Sequence, residues 1–189
     1  MKRIAIFASG SGTNAEQIIR HFKNNGKAIT EVVLTNNPNA VVIERAKNLH
    51  TPSYIFTKED FYQSDKIEKL LQRLKIDLIV LAGFLWLVPE SLIKKFPGKI
   101  INIHPALLPQ HGGKGFYGSK VHETVIRSGD KKSGITIHYV NEKFDDGKII
   151  FQATCDLEEN ETAETLAAKI HKLEHEHYPI IIEDILAKQ

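Results

Sequence analysis

Apolar positions along the chain fall into two alternating kinds of run. Ile4-Ala5-Ile6-Phe7-Ala8, Val32-Val33-Leu34 and Leu78-Ile79-Val80-Leu81-Ala82 are unbroken, as strands buried on both faces of a parallel sheet are. Tyr54-Ile55-Phe56 and Lys99-Ile100-Ile101 are shorter strand-like runs. Between them apolar residues return at helical spacing: Ala15, Ile18, Ile19 and Phe22; then Val41, Val42, Ala46 and Leu49 in a helix over about 40–49; then Ile67, Leu70, Leu71 and Leu74 in a helix over about 60–74. A short helix over 90–96 leads to the next strand. Alternation of strand and helix up to His104 predicts a parallel sheet with helices on both faces. Beyond it the pattern predicts a helix over 119–128, an alternating strand over 134–140, a strand over 148–154, and a helix from Thr162 to Lys188 interrupted at Pro179. The expected class is α/β: a single-domain, mostly parallel, twisted, Rossmann-like sheet with antiparallel strands in the C-terminal half.

Composition narrows the function classes. A chain of 189 residues with 42% apolar and 25% charged residues reads as one ordinary globular domain. The net charge of +2, with both signs mixed along the chain, shows no stripe for nucleic acid. One cysteine, Cys155, excludes an intramolecular disulfide and fits a reducing compartment. The apolar start is too short for a signal peptide, and no run is long enough to span a bilayer. A cytoplasmic enzyme or binding domain is expected, with small molecules as partners and neither membrane nor nucleic acid.

Three stretches after strand ends carry the candidate chemistry, and ligands of such sheets bind at the carboxyl ends of the strands. Ser9-Gly10-Ser11-Gly12-Thr13-Asn14 joins the first strand to the first helix. Its glycines let backbone approach a ligand, and the free amides of the helix start suit a phosphate, with Thr13 or Asn14 as N-cap. Gly10, Gly12 and Ala15 also match a dinucleotide fingerprint, but the second strand ends in Thr35-Asn36-Asn37-Pro38 without the ribose-binding acid, so a phosphomonoester fits better than NAD. Gly83-Phe84-Leu85-Trp86-Leu87-Val88-Pro89 is an apolar loop that is either core filler or the wall of a pocket for a flat aromatic ligand. Asn102 and His104 lie two apart and so share a face of an extended backbone, where a carboxamide and an imidazole can polarise a carbonyl and move a proton. Asp145-Asp146-Gly147 is either a turn or the source of a carboxylate that reaches His104, raises its pKa and keeps it ready to donate.

Two other readings compete. His171-Lys172-Leu173-Glu174-His175 has the spacing of a zinc-peptidase helix, with its two histidines one turn apart, but no third ligand is assignable and the expected metal content is none. A phosphate- or nucleotide-binding module without catalysis would use the glycine turn alone.

Taken together, GSGTN after the first strand, LAGF before the apolar loop, NIHPALLP, GITIHYVNEKFDDG and the Glu174-His175-x-x-Tyr178-Pro179 segment resemble the phosphoribosylglycinamide formyltransferases, folate-dependent enzymes of purine synthesis, nearly end to end. The length is expected to separate the chain from relatives of the same core with an added N- or C-terminal domain. The resemblance implies a formyltransferase domain over 1–189, with 1–103 as nucleotide-binding half and 104–189 as folate and catalytic half. It implies formyl transfer from 10-formyltetrahydrofolate as co-substrate to phosphoribosylglycinamide, by a monomer or homodimer. Asn102, His104 and Asp145 would be catalytic. Gly12, Thr13, Asn14, Gly83 and Glu174 would hold the ribonucleotide. Leu85, Trp86, Leu87, Val88, Asn102, Val140, Asn141 and Phe144 would enclose the pterin, and Lys58 would meet the folate's glutamate tail. Trp86 stands where the family would have a basic or aliphatic residue, and His171 where it would have an amide or lysine.

Overall fold

The unbroken apolar runs form the middle of one seven-stranded sheet, in the order β3-β2-β1-β4-β5-β6-β7. The computed structural model describes residues 1–189. In chain order the elements are β1 (Lys2–Phe7), α1 (Thr13–Asn25), β2 (Ala28–Thr35), α2 (Val42–Asn48), β3 (Ser53–Ile55), α3 (Lys58–Tyr62), α4 (Lys66–Arg73), β4 (Leu78–Leu81), α5 (Glu90–Lys95), β5 (Ile100–His104), α6 (Ser119–Ser128), β6 (Lys132–Tyr139), β7 (Ile149–Asp156) and α7 (Ala163–Ala187). Strands β1 to β5 are parallel, and β6 and β7 are added antiparallel.

Alternation along β1 explains why its sequence is apolar throughout. Ile4, Ile6 and Ala8 face a core shared with α1, α2, α6 and α7, whereas Ala5 and Phe7 face a second core under α3, α4 and α5. Helix α7 is the main cover of the first core, with Leu166, Ile170, Tyr178 and Ile182 fully buried. The Tyr178 hydroxyl donates to the Leu81 carbonyl at 2.9 Å, which fastens α7 to the end of β4 at the rim where the strand-end loops gather.

Four local expectations change. The predicted helix over 60–74 is two helices: a capping box on Thr57 and Asp60 starts α3, Gln63 ends it, and α4 begins after Asp65. Val41 is exposed and caps α2, while Ala40 and Val42 are buried. Neither Thr13 nor Asn14 caps α1; Gly12 does, in a left-handed conformation. Pro179 does not interrupt α7, because the turns on both sides of it are held by buried Tyr178 and Ile182, and tertiary packing outweighs the missing amide.

Gly134 marks how tightly β6 and β7 meet. A Cβ there would lie 1.9 Å from the Ala153 carbonyl oxygen and 2.8 Å from Leu107 Cδ2. Gly134→Ala is expected to destabilise the protein by about 2–3 kcal/mol through forced overpacking. Equilibrium urea unfolding checks this, and an unchanged midpoint would contradict the packing described.

Candidate active site

The carboxyl ends of β1, β4 and β5 open on a cavity of about 670 Å³, within the range of small-molecule sites. Gly10 to Asn14, Gly83 to Val88, Asn102, His104, Val140, Phe144, Asp145 and Glu174 all line it. The three strand-end features of the sequence thus meet on one rim. Among the predicted site residues, Lys58 and Asn141 lie off its lining. The Lys58 ammonium sits 5.8 Å over the Trp86 ring, and Asn141 Nδ2 donates to Asp146 Oδ2 at 3.0 Å.

At one end is the glycine turn. The first bond of α1 runs from the Glu16 N–H to the Gly12 carbonyl at 2.9 Å, so the amides ahead of it have no acceptor within the helix. Gly12 has φ 73°, and a Cβ on it would lie 2.3 Å from Val42 Cγ2, so glycine alone fits. Buried Glu174 closes this end from α7: its Oε2 accepts from Asn14 Nδ2 and from His171 Nδ1, both at 2.9 Å. That hydrogen bond raises the His171 pKa. The ring of His175 stacks on His171, with centroids 6.1 Å apart. Glu174 is therefore committed to the cavity, and no cluster of three or more His, Cys, Asp or Glu side chains is placed to hold a metal ion.

The apolar loop does both jobs considered for it. Trp86 packs at 5.9 Å from Phe56 and 6.1 Å from Phe61 in an aromatic cluster, and it also lines the cavity. Its backbone is pinned by Tyr62, whose hydroxyl donates to the Leu87 carbonyl at 2.9 Å, and by Ser9, whose hydroxyl accepts from the Leu85 amide at 3.1 Å.

At the far end sit the polar groups of β5 and β6. Asn102 lies opposite His138, and His104 opposite Thr136, so all four share a face. Thr136 Oγ1 donates to the Ala106 carbonyl at 2.7 Å and accepts from the Leu108 amide at 2.9 Å, which anchors the loop after His104. Asp145 reaches across from the loop between β6 and β7. Its Oδ2 lies 3.4 Å from His104 Nδ1 and accepts from the Gly113 amide at 3.0 Å. Its Oδ1 lies 3.4 Å from Asn102 Nδ2 and 3.6 Å from His138 Nε2. Both readings of Asp145-Asp146-Gly147 hold: Asp145 lies in a turn, and from that turn its carboxylate meets His104.

One electrostatic expectation is corrected. Asp145 does pull the basicity of His104 upward, but burial lowers it by more, and the net shift is downward. His104 is 3% exposed, and the free site holds a neutral imidazole instead of one poised as an acid. Its Nε2 faces the His111 carbonyl at 2.8 Å; a carbonyl only accepts, so Nε2 carries the hydrogen and the Nδ1 lone pair faces Asp145. Burial pushes the Asp145 carboxyl up, yet the neighbouring His138 and His104 rings and the Gly113 amide outweigh it and hold it below the usual range.

His138 is the residue that sequence reasoning passed over. Its Nδ1 donates to the Tyr139 carbonyl at 2.9 Å, so its Nε2 accepts from Asn102 Nδ2 at 3.1 Å and orients that carboxamide. The alternation Ile135-Thr136-Ile137-His138 holds the signal, because it sets two polar residues on one strand face against two aliphatic ones on the other. The His111 carbonyl and Gly113 amide are backbone groups, for which side-chain identity holds no signal.

Comparison with known proteins agrees with this geometry. A family profile described as formyl transferase matches residues 2–182. A Bacillus subtilis phosphoribosylglycinamide formyltransferase is 40% identical over 191 residues, covering 98% of this chain and 95% of the relative. The crystal structure of a phosphoribosylglycinamide formyltransferase from Bacillus halodurans superposes with a TM-score of 0.87 at 40% identity, covering 99% of this chain and 96% of that one. The corresponding enzyme from Anaplasma phagocytophilum gives 0.90 at 32% identity, covering 99% and 88%. With sequence, fold and cavity in agreement along nearly its whole length, the chain belongs to the formyl transferase family.

Proposed function

We propose that this protein transfers the formyl group of 10-formyltetrahydrofolate to the amine of 5'-phosphoribosylglycinamide, giving the N-formyl nucleotide and tetrahydrofolate in purine synthesis. The observation that carries the reading is the meeting of Asn102, His104 and Asp145 at the end of a cavity whose other end is an anion cradle. The residues present fit both substrates. Gly12, Thr13 and Asn14 take the phosphate on backbone amides, and Glu174 takes the ribose hydroxyls. Gly83 borders the nucleotide. Leu85 to Val88, with Val140 and Phe144, wall a slot for the flat pterin. Lys58, over the Trp86 ring, and Asn141, bonded to Asp146, stand outside the lining, and their part in folate binding lies beyond the pterin slot. Residues 1–103 supply the cradle and 104–189 the acid, with each half contributing to both ends. Every residue assigned a role comes from one chain, so a monomer or a homodimer would serve. The single cysteine suits the reducing cytoplasm.

In this reading the amine attacks the formyl carbon and the carbonyl electron pair moves onto oxygen, where Asn102 donates a hydrogen bond. Neutral His104 accepts the proton shed by the amine, and Asp145 stabilises the imidazolium that results. The same proton passes to N10 of the folate as its bond to the formyl carbon breaks, so the reaction takes up and releases no net proton. A neutral resting His104 therefore suits the first proton transfer, and Asp145 acts once charge appears.

Purified protein is expected to form tetrahydrofolate from 10-formyltetrahydrofolate only when phosphoribosylglycinamide is present, followed optically. Asn102→Ala, His104→Ala and Asp145→Asn should each lower kcat by roughly 10²–10³-fold, as loss of an oxyanion or proton-transfer partner does, with little change in nucleotide binding. Near-normal turnover by Asp145→Asn would break the pairing. Because the Asp145 charge raises the His104 pKa against burial, Asp145→Asn should shift His104 still further down. Titration of the His104 ring by NMR reads this, and an unmoved or raised midpoint would contradict it.

A further inference from the structure

Four histidines line the cavity, and three have protein partners. His104 engages the His111 carbonyl, His138 engages Asn102 and Tyr139, and His171 engages Glu174. His122 has none. It sits on α6 between core residues Val121 and Val125, is 5% exposed, and its Nδ1 is sealed from solvent without a hydrogen-bond partner. No protein group bonds its Nε2. An imidazole buried without partners is unfavourable, and an aliphatic side chain would fill this helix position without that cost. The cavity is the one direction left for it.

The ring is held neutral. Burial first, and then the charge of His171, push its basicity below the ordinary value. A neutral imidazole has one N–H and one lone pair. An N–H sealed without an acceptor is costlier than a sealed lone pair, so the hydrogen belongs on Nε2, and Nε2–H is the donor offered to a ligand. The titratable side chains that act on His122 are those of His171, Glu174 and His104. In the function proposed above, Glu174, which is bonded to His171, takes the ribose hydroxyls, and His104 takes the proton of the reacting amine. The polar group of the substrate between them is the glycinamide amide.

We propose that His122 is a substrate-binding residue whose Nε2–H donates to the amide carbonyl of the glycinamide nucleotide, fixing the stretch between ribose and amine. This inference rests on the proposed function but adds a residue and a contact to it. It makes His122 a determinant of acceptor specificity: a nucleotide amine lacking that carbonyl would leave the imidazole unpaired and be rejected.

Steady-state kinetics on wild type, His122→Phe and His122→Gln test it. His122→Phe is expected to raise KM for phosphoribosylglycinamide about tenfold, the usual cost of one lost hydrogen bond. KM for 10-formyltetrahydrofolate should stay unchanged and kcat within about threefold. His122→Gln, whose amide can donate, should recover most of the loss. In the wild-type protein, titration with phosphoribosylglycinamide should shift the His122 ring nitrogens by NMR, a readout that requires no variant to fold. Equal rises in both KM values, a nucleotide KM within twofold of wild type in His122→Phe, or unmoved His122 signals at saturation would overturn the proposal. Absence of formyl transfer by the wild type would instead defeat the proposed function.

Discussion

Asp145 carries a carboxylate that is only 10% exposed, and at that depth an unpartnered charge would neutralise. Its two oxygens are instead divided between elements far apart in the chain. One faces Asn102 on β5 and His138 on β6; the other takes the Gly113 amide and faces His104. The residue adopts φ 53°, a left-handed conformation that aspartate tolerates better than most side chains. Through these contacts one acid fixes the position of the loop after β6, the glycine-rich loop after His104 and the polar face between β5 and β6. Strained backbone held in place by surrounding contacts is common where a site is preorganised.

That arrangement depends on register. β6 runs antiparallel to β5, with Asn102 opposite His138 and His104 opposite Thr136. A slip of one residue would turn Thr136 and His138 to the other face and bring Ile135 and Ile137 against the polar pair. Gly134 and Gly147 help prevent the slip, since a Cβ at either would strike a carbonyl oxygen of a neighbouring strand, that of Ala153 or Tyr139. Thr136 adds a second lock through the carbonyl of Ala106 and the amide of Leu108.

Burial then sets the chemistry. His104 lies against a carboxylate and would be an acid if charge alone decided, yet desolvation is the larger effect and leaves it neutral. The same competition runs the other way for Asp145, where hydrogen bonds and neighbouring rings outweigh burial. The pair thus rests as a neutral base beside an anion, which is the state a proton-accepting site needs.

Much of this was legible in the chain itself. Unbroken apolar runs and helical spacings identified the parallel strands and most helices, because two-sided burial and one-sided burial leave different periods. The glycine turn, the apolar loop and Asn102-x-His104 were recognisable because each follows a strand end, where sites in such sheets form. Local rules failed where packing overrode them, as at Pro179, or where capping divided one helical pattern in two, as at Gln63 to Asp65. The amino-acid order by itself determined which groups exist and which face of its own element each one takes. Tertiary structure alone decided that Asp145 meets His104, that His138 orients Asn102, and that His104 rests neutral. Those outcomes depend on distance and desolvation between residues remote in sequence, quantities that no local period encodes.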